Sequence, residues 1–321
     1  MAKASAVAHP IQGLVKYHGL RDPVRRIPFH DSISVCTGPI RTHTTFALVD
    51  GDRDTAVIDG QAMTGRPLER IRAVVDAIRE HGDDDRCFRM ESTNDFPQFV
   101  GLGSSSSGFA ALAVAASAAF GFDASLERIS EFARLGAGSA CRSVTGGVSE
   151  WVNEGERSFS RCIMAADEVD WRIVVPLVQH EEPTEGVHEE VLQSPLFEAR
   201  VAHMPAACDD LRAGVDARDL AAIGAVAEAD TLNLHAVTMT TPSGHLTWQP
   251  ATVAVMRTVK RLRDDGVPVW FSIDTGATAY LNTDAAHEDT VAAAVQDIEG
   301  VADVLRLAPA GPAHRVDEHL F

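Results

Sequence analysis

The sequence predicts an α+β protein of two domains. Of its 321 residues, 45% are hydrophobic, which is enough to bury a sizeable core. Segments with strand-like and helix-like patterns mix along the chain without the strict alternation of a parallel α/β sheet. An acidic stretch around residue 183 suggests a boundary. We therefore expect one domain over residues 1–185 and a second over 186–321.

The first half of the chain carries most of the predicted strands. The N-terminus has no signal-peptide pattern and is expected to be a short mobile lead-in. Short apolar runs predict strands over 11–16, 32–37, 44–49, 55–58 and 88–92. Apolar residues at helical spacing predict a helix over 67–80. An alanine-rich run from Phe109 predicts a buried helix, and another helix over 126–135 should end at Gly136.

The second half is predicted to form a smaller α+β domain with several helices. A strong apolar run over 172–178 predicts the strand that precedes it. Helices are expected over 195–209, 217–234, 250–265 and 288–299. Two more strands, over 267–273 and 304–307, complete the predicted pattern.

The charge and cysteine content narrow the possible partners. The chain has 46 acidic and 28 basic residues, so nucleic acid is not expected, because phosphate binding needs a basic face. No apolar run reaches the length of a membrane span. The five cysteines are scattered and no His-Glu-x-x-His spacing occurs, so we expect neither disulfides nor a protein-held metal. A reducing cytoplasm fits best.

Lysine is nearly absent and is therefore informative where it occurs. The chain has only Lys3, Lys16 and Lys260, and its acidic surface resembles that of proteins adapted to high salt. Lys16 ends an apolar, strand-like segment. An edge-strand lysine could have this setting. A role at a site is favoured, because arginine serves the ordinary surface of this chain.

A glycine- and serine-rich loop precedes the alanine-rich helix. Its glycines would let the backbone approach a ligand, its serines offer hydroxyls, and the N-terminus of the helix favours negative charge. A flexible linker would stay polar, whereas this loop enters an apolar helix at once. The loop has neither a Walker A lysine nor a Gly-x-Ser-x-Gly pattern. An anion site is favoured, formed by Gly101, Gly103, Ser104, Ser105 and Ser106.

Two more stretches could carry chemistry. Residues 134–147 hold four glycines around Ser139 and Arg142, and an arginine can fork onto a carboxylate or phosphate. A structural turn with a surface arginine explains that stretch equally well. Asp274 ends an apolar strand, where an aspartate often only opens an Asx turn. A partly buried carboxylate needs a partner, and Lys16 is one candidate.

The order of these stretches resembles the GHMP kinase superfamily and, more narrowly, the diphosphomevalonate decarboxylase family. The resemblance spans most of the chain, and its most specific block is Gly138-Ser139-Ala140-Cys141-Arg142-Ser143. The other matching motifs are Val15-Lys16-Tyr17-His18-Gly19, Gly101-Leu102-Gly103-Ser104-Ser105-Ser106, Gly146-Gly147 with Glu150-Trp151, and Asp274-Thr275-Gly276. It implies a GHMP kinase-like fold, with a ribosomal protein S5 domain 2-like N-terminal domain and a ferredoxin-like C-terminal domain.

The resemblance also implies a reaction. ATP, arriving with Mg2+, phosphorylates the tertiary 3-hydroxyl of a mevalonate phosphate, and phosphate then leaves together with CO2. Asp274 is implied as the base, Lys16 as its charge-neutralising partner and Arg142 as the carboxylate-binding group. Tyr17 and Ser139 would contact the substrate. Gly101, Gly103 and Ser104 to Ser106 would cradle the ATP phosphates, and the family implies a homodimer.

Departures from the family pattern bear on the substrate. Leu20 stands where the family has a lysine, Ala137 where it has a serine, and Pro183-Thr184 where it has Ser-Arg; Glu185 adds a negative charge. These positions would help to hold a terminal diphosphate, and burying unpaired anionic oxygens is costly. The sequence therefore favours decarboxylation of mevalonate 5-phosphate to isopentenyl phosphate, as in the family branch of salt-loving archaea.

Three alternatives stay open at this point. The chain could be a diphosphomevalonate decarboxylase, a GHMP-type small-molecule kinase without decarboxylation, or a non-catalytic GHMP-like binding protein. Asp274, Lys16 and Arg142 together favour a decarboxylase over a kinase. The intact glycines of both loops argue against a binding protein.

Overall fold

Two large β-sheets, each covered by helices, make up most of the fold in the described part of the chain, beside one small two-stranded sheet. The computed structural model describes residues 2–81, 84–97, 101–179 and 190–321. The strands in these residues are β1 Lys3–Ala8, β2 Ile11–Val15, β3 Leu20–Asp22, β4 Ile27–Pro28, β5 Ser32–Gly38, β6 Thr42–Val49, β7 Thr55–Ile58, β8 Gln61–Ala62, β9 Cys87–Asn94, β10 Val148–Glu154, β11 Arg157–Met164, β12 Arg172–Val178, β13 Trp270–Ile273, β14 Ala279–Thr283, β15 Val301–Pro309 and β16 His314–Val316. The helices are α1 Gly65–Arg79, α2 Ser104–Ala119, α3 Leu126–Gly136, α4 Ala140–Thr145, α5 Phe197–Ala217, α6 Leu220–Met239, α7 Pro250–Asp264 and α8 Glu288–Val295, with a 3-10 turn at Val191–Gln193.

The first sheet carries the alanine-rich helix α2. Its strand order is β16-β1-β6-β9-β7-β8, and β7 is parallel to β9 while the other pairs are antiparallel. Helix α2 contacts β1 and β6, and α1 and α3 pack beside it. The small side chains of α2 are buried nearly all round, because helices and sheet both approach it closely. Phe46 and Phe88 stack in the same core.

The second sheet joins the two halves of the chain. Its order is β11-β10-β5-β15-β12-β14-β13, and β2 also pairs with β5. Strand β15 from the C-terminal half pairs with both β5 and β12. Helices α5 and α6 contribute to one core with Trp171 and Tyr280, and α7 and α8 contribute to another with Phe271. This shared sheet brings β2 next to β13, where the site is built.

The predicted α+β class is confirmed, and the domain boundary at 185/186 stays a prediction. That boundary lies outside the described residues. Strand β12 precedes it, yet β12 pairs with β14 and β15 of the C-terminal half. None of the helices in the described ranges is both long and apolar enough to cross a bilayer.

The expectation of a mobile N-terminal lead-in is wrong. Residues Lys3–Ala8 form strand β1, which is hydrogen-bonded to β6 on one side and β16 on the other. Its small residues have low intrinsic strand preference, so the strand depends on its partners.

The sequence also did not predict β10, which is buried around Glu150. The Glu150 carboxylate can be buried because it forms ion pairs with Arg161 and Arg212. Its polar side chain interrupts the apolar pattern by which a buried strand is recognised.

Candidate active site

Asp274 follows strand β13 and lies directly against strand β2. The Gly13 N–H donates a hydrogen bond to Asp274 Oδ1 at 3.0 Å, and the Ser272 hydroxyl donates to the Gly13 carbonyl at 2.7 Å. A Cβ atom at Gly13 would stand 2.7 Å from both Asp274 Oδ1 and Lys16 Cγ. Only glycine permits this close approach of strand to carboxylate.

The surroundings of Asp274 suit a carboxylate that accepts a proton. Burial raises the pKa of its carboxyl above the ordinary value. The charge of Lys16, the Gly13 hydrogen bond and the charge of Arg142 act in the opposite direction without cancelling the effect. A carboxylate with a raised pKa is a stronger base than one in water.

Lys16 is buried beside Asp274, but its ion pair is with another residue. Its ammonium lies 3.4 Å from Asp230 Oδ2 and donates to Thr231 Oγ1 at 3.1 Å. In the described part of the chain, Asp230 is the only carboxylate within 4.0 Å of this ammonium, so the expected ion pair with Asp274 is not formed here. Burial lowers the pKa of Lys16, while the charges of Asp230 and Asp274 oppose that shift.

Sequence reasoning missed Asp230 and Arg200, which fix the position of Lys16. Asp230 Oδ1 accepts a hydrogen bond from Arg200 Nη2 at 2.9 Å, and the same nitrogen donates to the Lys16 carbonyl at 2.6 Å. Asp230 Oδ2 accepts from the Lys16 N–H at 3.0 Å. The one available signal was an aspartate within the apolar helix α6, because a carboxylate buried there needs cationic partners.

Arg142 presents a buried guanidinium with unused donors. Its residue is 2% exposed, and Nε and Nη1 have no hydrogen-bond partner among the described residues. The guanidinium lies 5.7 Å from the ring centre of Tyr17 and 5.9 Å from that of Trp151. Ser139 precedes α4 and makes no side-chain capping bond to it. A buried cation with free donors matches an anionic ligand, so Arg142, Tyr17 and Ser139 suit substrate binding.

The glycine- and serine-rich loop forms the N-terminus of α2. Gly103 has a left-handed φ of 70° and no side chain caps the helix, so first-turn N–H groups can face a ligand. Ser104 is partly buried and Ser105 is exposed. Ser106 is fully buried, and its hydroxyl donates to the Gly103 carbonyl at 2.6 Å and accepts from the Ile11 N–H at 3.3 Å. Ser106 therefore holds the loop in shape.

The loop meets the turn that carries Asp274. A Cβ atom at Gly276 would stand 3.6 Å from the Cα of Gly101. The Tyr280 hydroxyl donates to the Gly101 carbonyl at 3.2 Å, which ties the loop to β14. Gly101 itself has a left-handed φ of 79°. A phosphate bound by the loop would thus lie close to the Asp274 turn.

The family's diphosphate-binding positions are only partly described. Pro183, Thr184 and Glu185 lie outside the described residues. Leu20 is partly buried at the start of β3, and Ala137 is buried. Neither side chain can bind a phosphate oxygen.

In the described ranges, no three His, Cys, Asp or Glu side chains are grouped to hold a metal, and the five cysteines are free thiols.

Comparison with known proteins identifies the family of this chain. The model of the diphosphomevalonate decarboxylase-like N-terminal domain matches residues 8–163, and that of the mevalonate 5-diphosphate decarboxylase C-terminal domain matches residues 174–309. The chain is 47% identical to a phosphomevalonate decarboxylase of Haloferax volcanii over 98% of both chains. It is 32% identical to a diphosphomevalonate decarboxylase of Eremothecium gossypii over 73% of this chain and 65% of that protein.

Solved structures give the same result for the fold. The structure of mevalonate diphosphate decarboxylase from Staphylococcus aureus superposes with a TM-score of 0.92 at 25% identity, covering 98% of each chain. This likeness confirms the GHMP kinase-like fold that the motifs implied. From the two domain matches and the full-length relative, the chain belongs to the diphosphomevalonate decarboxylase family.

Proposed function

We propose that this protein catalyses the ATP-dependent decarboxylation of mevalonate 5-phosphate to isopentenyl phosphate, with release of CO2, ADP and phosphate. The observation that carries the proposal is the contact between the anion loop at Gly101 and the turn of Asp274. A phosphoryl donor bound by that loop would lie beside the buried carboxylate of Asp274, and Arg142 would supply a binding group for the substrate carboxylate. The name of the Haloferax volcanii relative supports the same activity.

The residues divide the reaction into two steps. Asp274 removes the proton of the tertiary 3-hydroxyl as its oxygen attacks the γ-phosphorus of ATP, and ADP leaves. The C3–O bond of the substrate then breaks, with its electron pair leaving on the phosphate, as the electron pair of the C1–C2 bond forms the C2=C3 double bond. CO2 and phosphate depart together. Lys16 offsets negative charge that develops at the reacting oxygen, and Arg142 orients the carboxylate until it leaves.

The nucleotide site is suited to phosphate. The uncapped N-terminus of α2 and the left-handed glycines Gly101 and Gly103 offer N–H groups to the phosphates, and the accessible Ser104 and Ser105 add hydroxyls. Mg2+ bound to ATP would supply charge neutralisation at the transferred phosphoryl group. A structural neighbour at 23% identity and TM-score 0.90 was solved with MVAPP, AMPPCP and magnesium.

The monophosphate is favoured over the diphosphate because the substrate's distal end meets fewer cations. Leu20 replaces the lysine that the family uses, and Ala137 replaces a serine. A terminal phosphate placed there would lose its water without gaining a partner, which penalises the longer substrate. We further infer, from the family resemblance, that the protein acts in the cytoplasm as a homodimer.

The test is a substrate comparison. Purified protein in molar KCl with Mg-ATP is given mevalonate 5-phosphate or mevalonate 5-diphosphate, and the release of CO2 and ADP is followed. Turnover of the monophosphate alone is expected. Turnover of the diphosphate alone would contradict the substrate assignment. ADP without CO2 would indicate a kinase.

A further inference from the structure

Lys16 belongs to a buried network of four charged groups. Asp230 divides its two oxygens between the cations: Oδ1 binds Arg200, and Oδ2 binds both the main-chain N–H and the ammonium of Lys16. Arg200 also donates to the Lys16 carbonyl. The main chain of Lys16 is therefore held from both sides. Asp274 completes the set, so two carboxylates balance two cations.

The network also connects Lys16 to the strand of Asp274. Thr231 Oγ1 accepts hydrogen bonds from the Lys16 ammonium at 3.1 Å and from the Ile273 N–H at 3.1 Å. Ile273 directly precedes Asp274. One hydroxyl on α6 thus links the lysine to the segment that carries the proposed base. On the β2 side, the hydrogen bond from the Gly13 N–H to Asp274 also connects the segment of Lys16 to this carboxylate.

We propose that Asp230 and Thr231 are positioning residues that hold the Lys16 ammonium charged and apart from Asp274 before the substrate binds. An ammonium paired tightly with Asp274 would stabilise that carboxylate and weaken it as a base. Held by Asp230 and Thr231, the ammonium stays near the position of the reacting oxygen but forms no ion pair with the Asp274 carboxylate. The proposal rests on the proposed function for its catalytic consequence, but the network itself is testable without substrate.

The charged groups that act on Lys16 set the sign of the expected change. Asp230 and Asp274 favour its ammonium form, whereas Arg200 disfavours it, and the buried His235 on α6 lies close enough for its protonated form to repel the lysine. The Asp230→Asn change removes the nearer of the two carboxylates. We expect the lysine to lose its proton at lower pH than in the parent protein.

The low lysine content makes this shift directly measurable. Lysine labelled with 13C at Cε and 15N at Nζ gives signals from Lys3, Lys16 and Lys260 alone. In Asp230→Asn, we expect the Lys16 signals to titrate at lower pH, while those of Lys3 and Lys260 titrate as before. An unchanged titration of Lys16 would overturn the proposal, whatever the protein does to mevalonate phosphates.

Activity provides the second readout. Asp230→Asn should lower kcat by about 10²-fold with little change in KM, and the alkaline limb of the kcat profile should move to lower pH. Asp230→Glu keeps the charge and should restore the alkaline limb. A parental kcat in Asp230→Asn would refute the catalytic part of the proposal while leaving the substrate assignment intact.

A matched control lies on the same helix. Glu228 forms a comparable ion pair with Arg263 but does not contact Lys16, so Glu228→Gln should leave both the Lys16 titration and the alkaline limb unchanged. If Asp230→Asn does not fold, Thr231→Val tests the positioning of the Lys16 ammonium without changing the charge of the network. It should lower kcat with KM unchanged, and a parental kcat would overturn the proposal.

Discussion

The Gly13 N–H donates a hydrogen bond of 3.0 Å to the carboxylate of Asp274, across 261 positions of the chain. This contact joins a strand near the N-terminus to the turn after β13, and it requires a residue without a side chain. Asp274 and Lys16 flank the same glycine. Their spacing is therefore set by the main chain of β2.

The Gly13→Ala variant should be folded and nearly inactive. The new methyl group would stand 2.7 Å from Asp274 Oδ1 and Lys16 Cγ, so both side chains must move away from it. A displacement of about 1 Å at reacting groups costs about 10² in rate. Steady-state kinetics with mevalonate 5-phosphate would measure the loss. Gly51→Ala is the control, because a Cβ atom there has no neighbour within 4 Å.

The Asp274→Asn variant should lose turnover and keep or gain stability. Because burial raises the pKa of this carboxyl, its ionised form is disfavoured in the folded protein at neutral pH, and the neutral amide removes that cost. Thermal unfolding at pH 7 should give a Tm equal to or above that of the parent. Asp297→Asn, at an exposed position, should change neither property. Full activity in Asp274→Asn would show that another group is the base.

The same carboxyl should set the acid limb of the pH profile of activity. Activity should fall as pH decreases through the pKa of Asp274, since protonation removes the base. This limb should lie above the ordinary aspartate pKa of about 4. Measurement of kcat/KM against pH in the parent protein tests this expectation. An acid limb at or below the ordinary value would mean that burial does not govern this group.

The Arg142→Met variant should be more stable and less active than the parent protein. Its guanidinium is buried with two unpartnered nitrogens, and replacing a buried, unpaired charge by an apolar side chain removes a desolvation cost. The Tm of the free protein should rise, while kcat/KM falls by 10² or more, about 2.7 kcal/mol of transition-state binding. Mevalonate 5-phosphate should raise the Tm of the parent but not of the variant. Equal stabilisation of both by substrate would place the carboxylate elsewhere.

The fold class and most helices could be predicted from local pattern, whereas two kinds of strand could not. Four of the six residues of Lys3–Ala8 are alanine or serine, and this strand depends on its pairing with β6 and β16. Val148–Glu154 carries a buried glutamate whose arginine partners come from distant elements. In both cases contacts with residues distant in the sequence determine the strand, and the local sequence pattern does not reveal those contacts.

The site shows the same division. The motifs predicted Lys16, Asp274 and Arg142 as site residues because the residue types and their order are distinctive. They did not reveal that Lys16 is paired with Asp230, because that contact joins residues 214 positions apart. They also grouped Ser106 with the serines expected to face the ATP phosphates, although its hydroxyl is used within the loop. Residue identity predicts chemistry, but only the fold determines which groups share a hydrogen bond.

The serines of the α2 loop provide a matched pair for the last prediction. Ser106→Ala removes a buried hydroxyl that bonds Gly103 and Ile11, so it should cost about 1 kcal/mol or more in the free energy of unfolding. Ser105→Ala alters an exposed hydroxyl at the helix N-terminus. It should leave stability unchanged and raise the KM for ATP. Urea unfolding and ATP titration separate the two effects. If Ser105→Ala destabilised the protein without changing the KM for ATP, the exposed serine would not belong to the nucleotide site.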